Sequence, residues 1–254
     1  LTWFIRADPQ IERSMGSAAW ALEQFAEHWR ESTRTGDEVG LHMHPWRWDG
    51  QSETWCQDHD DEAWMQNCLT VAFGAYRDYF GKAPTSYRGG DRFLSNSVRQ
   101  RIEEEGVRVD LGVEHMPGVA RLVQRERGSG HIPDCRTAPR HAYWPADVDF
   151  RMQGAKRSSG FGIVPLTSYV AGTLTPWVLP EDFEHALAVI LANRTTISHL
   201  AFVARADLVR TNLWENFCRN VETLAGMVAT GEFEFMPATA AWERAQNWLV
   251  QDAV

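Results

Sequence analysis

The sequence predicts an α/β fold built on parallel strands, and three observations carry that prediction. Runs of β-branched and aromatic residues alternate from end to end with longer stretches whose apolar residues recur at helical spacing. About seven such β/α units follow one another, and that number closes most naturally into a barrel with its active site where the strands end. No Pro/Gly/Ser-rich linker or shift of composition divides the 254 residues, so residues 1–254 read as one domain.

Leu1–Ile5 opens the chain as a strand, and Ser14–Arg34 follows as a helix with Met15, Ala18, Ala19, Leu22, Phe25, Ala26 and Trp29 on one face. Val39–Met43 is the second strand. Asp60–Phe80 is a long helix, opened by acidic residues that suit the positive end of its dipole and closed by Gly81. Pro84–Arg88 is the third strand, Ser95 caps a helix that runs to Glu105 and stops at Gly106, and Val107–Val113 is the fourth strand. Glu114–Gly160 has little periodicity, is rich in Arg, Pro, Gly and aromatic residues, and exceeds an ordinary connection. It reads as an extended functional loop with short strands. Regularity returns with strands at Gly162–Leu166, Ile197–Val203 and Phe233–Met236, and helices at Glu181–Ala192, Asn212–Thr230 and Thr239–Val250.

A formal charge of −9 and an isoelectric point near 5.5 argue against nucleic-acid and anionic-membrane partners, both of which need clustered Lys and Arg. The one locally basic stretch holds Arg121, Arg125, Arg127, Arg136 and Arg140 and suits a solvated loop. Cys56, Cys68, Cys135 and Cys218 lie far apart without a Cys-x-x-Cys pair, which fits reduced thiols in a cytoplasmic protein. No apolar run approaches membrane-spanning length, so no membrane insertion is expected.

The most informative stretch is Gly40-Leu41-His42-Met43-His44-Pro45-Trp46. A strand turns residues two apart to the same face, so His42 and His44 converge. That suits a divalent metal such as Zn²⁺, because neutral imidazole is a good ligand; two satisfied histidines at a strand end are the alternative. The barrel reading gathers further polar residues at strand ends, namely Arg6 and Asp8 after the first strand, and Arg88, Asp91 and Arg92 after the third. Ligands, a carboxylate base and an orienting cation are what a metal-assisted hydrolase needs. For Asp8 the plainer reading, a loop carboxylate before Pro9, is the preferred one, while Asp91, after Gly89-Gly90, reads equally as a turn carboxylate or a catalytic one. Arg88 ends an apolar strand and requires an acidic partner. Trp46, Tyr143 and Trp144 are candidates for packing on a sugar ring, although most of the twelve tryptophans must be core or loop packing.

Thr2-Trp3-Phe4-Ile5, Gly36-Asp37-Glu38-Val39-Gly40-Leu41-His42 and Ser86-Tyr87-Arg88-Gly89-Gly90 resemble, in order and spacing, the landmarks of the polysaccharide deacetylase family (NodB homology, carbohydrate esterase family 4). Pro165-Leu166-Thr167-Ser168, Ala206-Asp207-Leu208 and Phe233-Glu234-Phe235 are similar to the subset associated with bacterial surface-polysaccharide and lipopolysaccharide biosynthesis. The resemblance implies an incomplete seven-stranded β/α barrel holding Zn²⁺ or a similar ion and removing an acetyl group from an N-acetylated amino sugar. It implies metal ligation by His42 and an orienting role for Arg88. The family's usual second histidine, four residues on, falls at Trp46, so either His44 serves as the second ligand or the site differs from the family's. Two departures stand out. The family's Asp-Asp signature would lie in a β/α unit of about thirty residues before Leu1, or Asp8 stands in for it, and Ala204 occupies the place of the family's late proton-donating histidine. His199 lies at an odd offset from that place, while His131 and His141 sit in the long loop. Two other readings remain, a catalytically inactive saccharide-binding relative and a barrel glycosidase using two carboxylates such as Asp91 and Asp134.

Overall fold

A computed structural model describes residues 1–115, 128–129, 133–169, 172–192 and 199–251. In chain order the elements are β1 (Thr2–Arg6), α1 (Pro9–Met15), α2 (Trp20–Gln24), α3 (Ala26–Arg34), β2 (Glu38–Met43), β3 (Trp46–Asp49), β4 (Thr54–Asp58), α4 (Glu62–Phe80), β5 (Ser86–Gly89), α5 (Asn96–Glu104), β6 (Val109–Asp110), β7 (Gly128–Ser129), β8 (Gly162–Ile163), β9 (Ser168–Tyr169), β10 (Gly172–Thr173), α6 (Pro180–Ala192), α7 (Asn212–Ala229) and α8 (Ala238–Gln251). The fold is mixed α/β. Its central sheet runs β1-β2-β5-β6-β8 with every pairing parallel.

Parallel neighbours need crossovers, and helices supply them. α4 starts at Asp61, whose carboxylate accepts the Trp64 N–H, and ends at Gly81 in the left-handed region with φ 68°. Its buried face, with Leu69, Phe73 and Tyr76, packs on β2, where the Tyr76 hydroxyl donates to the Val39 carbonyl at 2.7 Å. Ser95 caps α5 by accepting the Val98 N–H. At the other end of the chain, α8 touches both sides of the sheet. The Ala238 N–H donates to Thr2 Oγ1 and Thr239 bonds Glu38, while buried Trp242 donates its indole N–H to the Gly160 carbonyl at 2.7 Å. A Cβ on Gly162 would lie 1.9 Å from the Trp242 ring, so the indole takes the space glycine leaves.

Several expectations change. The helix expected over Ser14–Arg34 is three short helices, because Gly16 adopts φ 85° and ends α1, and the chain turns again at Phe25. Trp46–Asp58 is an antiparallel hairpin, β3 with β4, that pairs with β7. Phe233–Met236 forms no strand; Phe233 instead packs against the buried cluster that joins α6 to Leu224 of α7. Of Ile197–Val203, the first two residues lie outside the described residues, as do Arg121, Arg125, Arg127 and His131. The rest is not a strand, yet Ala201 exchanges hydrogen bonds with the Thr167 N–H and Oγ1. No helix among the described residues is long and apolar enough to cross a membrane.

Candidate functional site

Three strand ends bring the polar residues to one level. Arg6 is the register partner of His42, and His42 of Arg88, across β1, β2 and β5. Alternation along β2 then turns His42 and His44 together as expected. Their rings stand 4.7 Å apart between centroids, nearly perpendicular, with the two Nε2 atoms 3.0 Å apart.

The outer nitrogens decide the state of that pair. His42 Nδ1 lies 2.6 Å from the Arg88 carbonyl, which only accepts, so His42 donates there and keeps a lone pair on Nε2. His44 Nδ1 lies 2.9 Å from Asp91 Oδ2, a carboxylate oxygen that also only accepts. The Trp46 indole N–H approaches the same nitrogen at a longer 3.3 Å, and the shorter charged contact takes precedence. The two Nε2 atoms therefore face one another, and that of His42 presents a lone pair. Burial, the charge of His44 and that of Arg88 push His42 down to about 3, so His42 is neutral and its Nε2 accepts. Two imidazoles on a tetrahedral zinc at about 2.0–2.1 Å would stand about 3.3 Å apart, close to the 3.0 Å between these nitrogens. Among the described residues no group of three or more His, Cys, Asp or Glu side chains is arranged to hold a metal ion.

The Gly89-Gly90-Asp91 turn wraps this pair. A Cβ on Gly90 would lie 2.4 Å from the His44 ring, so only glycine lets the loop cross the imidazole face. Asp91 follows with φ 54°, a left-handed conformation that aspartate tolerates better than most residues. Its carboxylate accepts from His44 and from the Gln57 amide of β4. Burial alone would raise the Asp91 carboxyl, and the His44 hydrogen bond with the neighbouring imidazole charge more than offsets it.

Asp8 sits elsewhere in this arrangement. It is 0 % exposed, caps α1 by accepting the Gln10 and Ile11 N–H groups, pairs with Arg6 Nε at 2.6 Å, and accepts the His44 backbone N–H at 3.2 Å. Arg88 finds its acidic partner in Glu114, whose two oxygens meet Arg88 at 3.2 Å and Arg92 at 3.7 Å. Burial lowers the Arg88 pKa against the opposing charges of Glu114 and Asp110, and raises that of Glu114. Asp110, buried at the end of β6, accepts the Gly112 N–H at 2.8 Å and is pushed up to about 7 by burial.

The aromatic candidates divide. Tyr143 is 0 % exposed with its hydroxyl on the Phe150 carbonyl, and Trp144 is 6 % exposed with its ring 5.9 Å from Trp242. Both are core side chains without a face for a sugar, which corrects the expectation; α8 covers Trp144 from far along the chain. Trp46 stays half-buried beside His44. An open cleft lies along the same hairpin, lined by Arg47, Trp48, Asp49, Cys56, Gln57 and Asp58.

Sequence reasoning passed over Gln57, Asp110, Glu114 and His59. His59 is buried against Phe93, both its ring nitrogens lack a partner among the described residues, and burial lowers it to about 4 against the charge of Asp91. A polar residue two positions from Gln57 at a strand end was the available signal. Ala204 is exposed, and His199 donates from Nε2 to the Pro165 carbonyl at 2.8 Å. His141 bonds Gln153, and Asp134 is held by Arg136.

Neither protein-family models nor curated proteins give a match to this chain. A crystal structure of a Mycobacterium smegmatis protein assigned to the polysaccharide deacetylases superimposes with a TM-score of 0.54 at 14 % identity, over 97 % of this chain and 72 % of that one. At that identity the likeness is one of fold, and nearly the whole of this chain follows the path of that protein.

Proposed function

We propose that this chain is a metal-dependent hydrolase that removes the N-acetyl group from an amino sugar of a bacterial surface polysaccharide or its precursor. One observation carries the reading, the facing Nε2 atoms of His42 and His44 with both Nδ1 atoms committed to acceptors. The fold likeness supports the substrate class. A divalent ion, Zn²⁺ or a similar transition metal, supplies Lewis acidity for amide hydrolysis when bound. His42 and His44 would hold it. Arg88, buried and countered by Glu114, keeps a guanidinium at the same level as His42 to orient a carboxylate or the substrate. Asp91 contributes its carboxylate beside His44, Asp8 holds the His44 backbone through its hydrogen bond, and half-buried Trp46 offers an indole face for a sugar ring beside His44.

The parallel sheet, extended past β8 by the Thr167–Ala201 hydrogen bonds and bridged from β1 to β8 by α8, supports an incomplete barrel formed by one domain. The four free cysteines support a cytoplasmic setting. Metal analysis with an acetate assay on N-acetylglucosamine oligosaccharides tests the function. One equivalent of zinc, lost in His42→Ala, and acetate release that stops on chelation are expected. Acetate release unaffected by chelation and by His42→Ala would refute the metal reading. Ala204 favours a second reading, a saccharide-binding relative without catalysis, which oligosaccharide binding with no acetate release would establish.

A further inference from the structure

We infer that Asp91 is a positioning residue for His44, itself held by Gln57, so that the β3–β4 hairpin is part of the machinery that grips the ion. The inference rests on the metal reading above. Its first support is the sharing of one oxygen. Asp91 Oδ2 accepts both the His44 Nδ1–H, at 2.9 Å, and the Gln57 amide, so the carboxylate is oriented from the hairpin on one side and aims the imidazole on the other. Gln57 is 2 % exposed and is the cross-strand partner of Trp46, whose indole borders the same imidazole. Two opposed residues of one hairpin thus converge on the His44–Asp91 contact.

The backbone supplies the second support. Asp91 and Arg92 both hold positive φ, 54° and 63°, immediately after a glycine that closely abuts the His44 ring. Such a conformation persists where surrounding contacts hold it, and here its effect is to turn the Asp91 carboxylate back onto His44. An imidazole whose Nδ1–H is anchored to a carboxylate has one tautomer and one ring orientation, and is the stronger donor at Nε2. Without Asp91, His44 is free to pivot toward the Trp46 indole N–H, which needs a lone pair on that same Nδ1 and moves the proton to Nε2. The metal-facing nitrogen is then lost.

Cobalt(II) and zinc(II) titrations of the full chain, read by visible absorption and competition with a chelator, test this without recourse to activity. Asp91→Gly removes the carboxylate while tolerating the positive φ, and Asp91→Asn tolerates it and keeps an acceptor. Metal affinity is expected to fall about 10- to 100-fold in Asp91→Gly, with an altered cobalt spectrum, to recover in large part in Asp91→Asn, and to fall by a smaller factor in Gln57→Leu. Circular dichroism melts verify that each variant is folded. Asp91→Gly binding cobalt as tightly as the parent, while His42→Ala loses it, would overturn the positioning role and leave the metal reading intact. Failure of the parent chain to bind either ion would overturn the metal reading and this inference with it.

Discussion

Replacing Asp8 by alanine separates a carboxylate that builds the site from one that performs chemistry in it. The side chain is fully buried and answers donors from three places, Arg6, the first turn of α1 and the backbone of His44. Loss of a helix N-cap costs about 1 kcal/mol. Leaving the His44 N–H without an acceptor costs about 1–3 kcal/mol. Arg6 is partly exposed, so its lost partner adds only about 0.5–1 kcal/mol. The total, about 4 kcal/mol, agrees with the cost of about 3–5 kcal/mol for breaking a buried pair from one side. With a urea m-value of about 3 kcal/mol per molar for a chain of this size, the unfolding midpoint falls by about 1–1.5 M. Asp8→Asn retains one acceptor and is expected to fall by about half as much. Urea titrations followed by far-UV circular dichroism measure both. A midpoint unchanged within about 0.2 M in Asp8→Ala, accompanied by complete loss of acetate release, would refute the structural account and make Asp8 the base.

Gly162→Ala drives a methyl into the Trp242 ring, displacing an indole that is fully buried and bonded to Gly160. The cost, comparable to losing the tryptophan at about 3–5 kcal/mol, lowers the melting temperature by about 10 °C, whereas Gly74→Ala within α4, with open space at its Cβ, is neutral or slightly stabilising. Asp110 has a folded-state pKa near 7, raised by burial above the unfolded value of about 3.9. The stability it contributes is therefore full below about pH 4 and lost as pH rises through about 7. Asp110→Asn, which retains an acceptor for the Gly112 N–H, is expected to match the parent near pH 4 and exceed it at pH 8 in urea melts. A parent-like decline in the variant would show that the charge on Asp110 is not its cause.

Much of the architecture was legible because its signals are local. Gly81 and Ser95 mark helix ends through conformations and hydrogen bonds made with their own neighbours, and the structure shows them in those parts. Alternation alone placed His42 and His44 on one face. The helix expected over Ser14–Arg34 failed at Gly16, where helical spacing of apolar residues outweighed a glycine suited to φ 85°. The hairpin at Trp46–Asp58 was hidden for another reason. Its tryptophans and charges lack a clean apolar–polar alternation, and its stability comes from cross-strand pairs such as Trp48 with Trp55. Trp144 read as a possible sugar platform because nothing near it announces that Trp242 will cover it.

Sequence by itself determined the alternation of strands and helices, the shared face of the two histidines, and the need of Arg88 for an acid. Tertiary structure alone decided that the acid is Glu114, that Asp91 and Gln57 meet at His44, and that Asp8 serves α1 and the His44 backbone. The reason is physical. Periodicity and capping are written in neighbouring residues, whereas these polar partners are brought together by parallel register between distant strands, where a slip of one residue would turn each side chain to the opposite face.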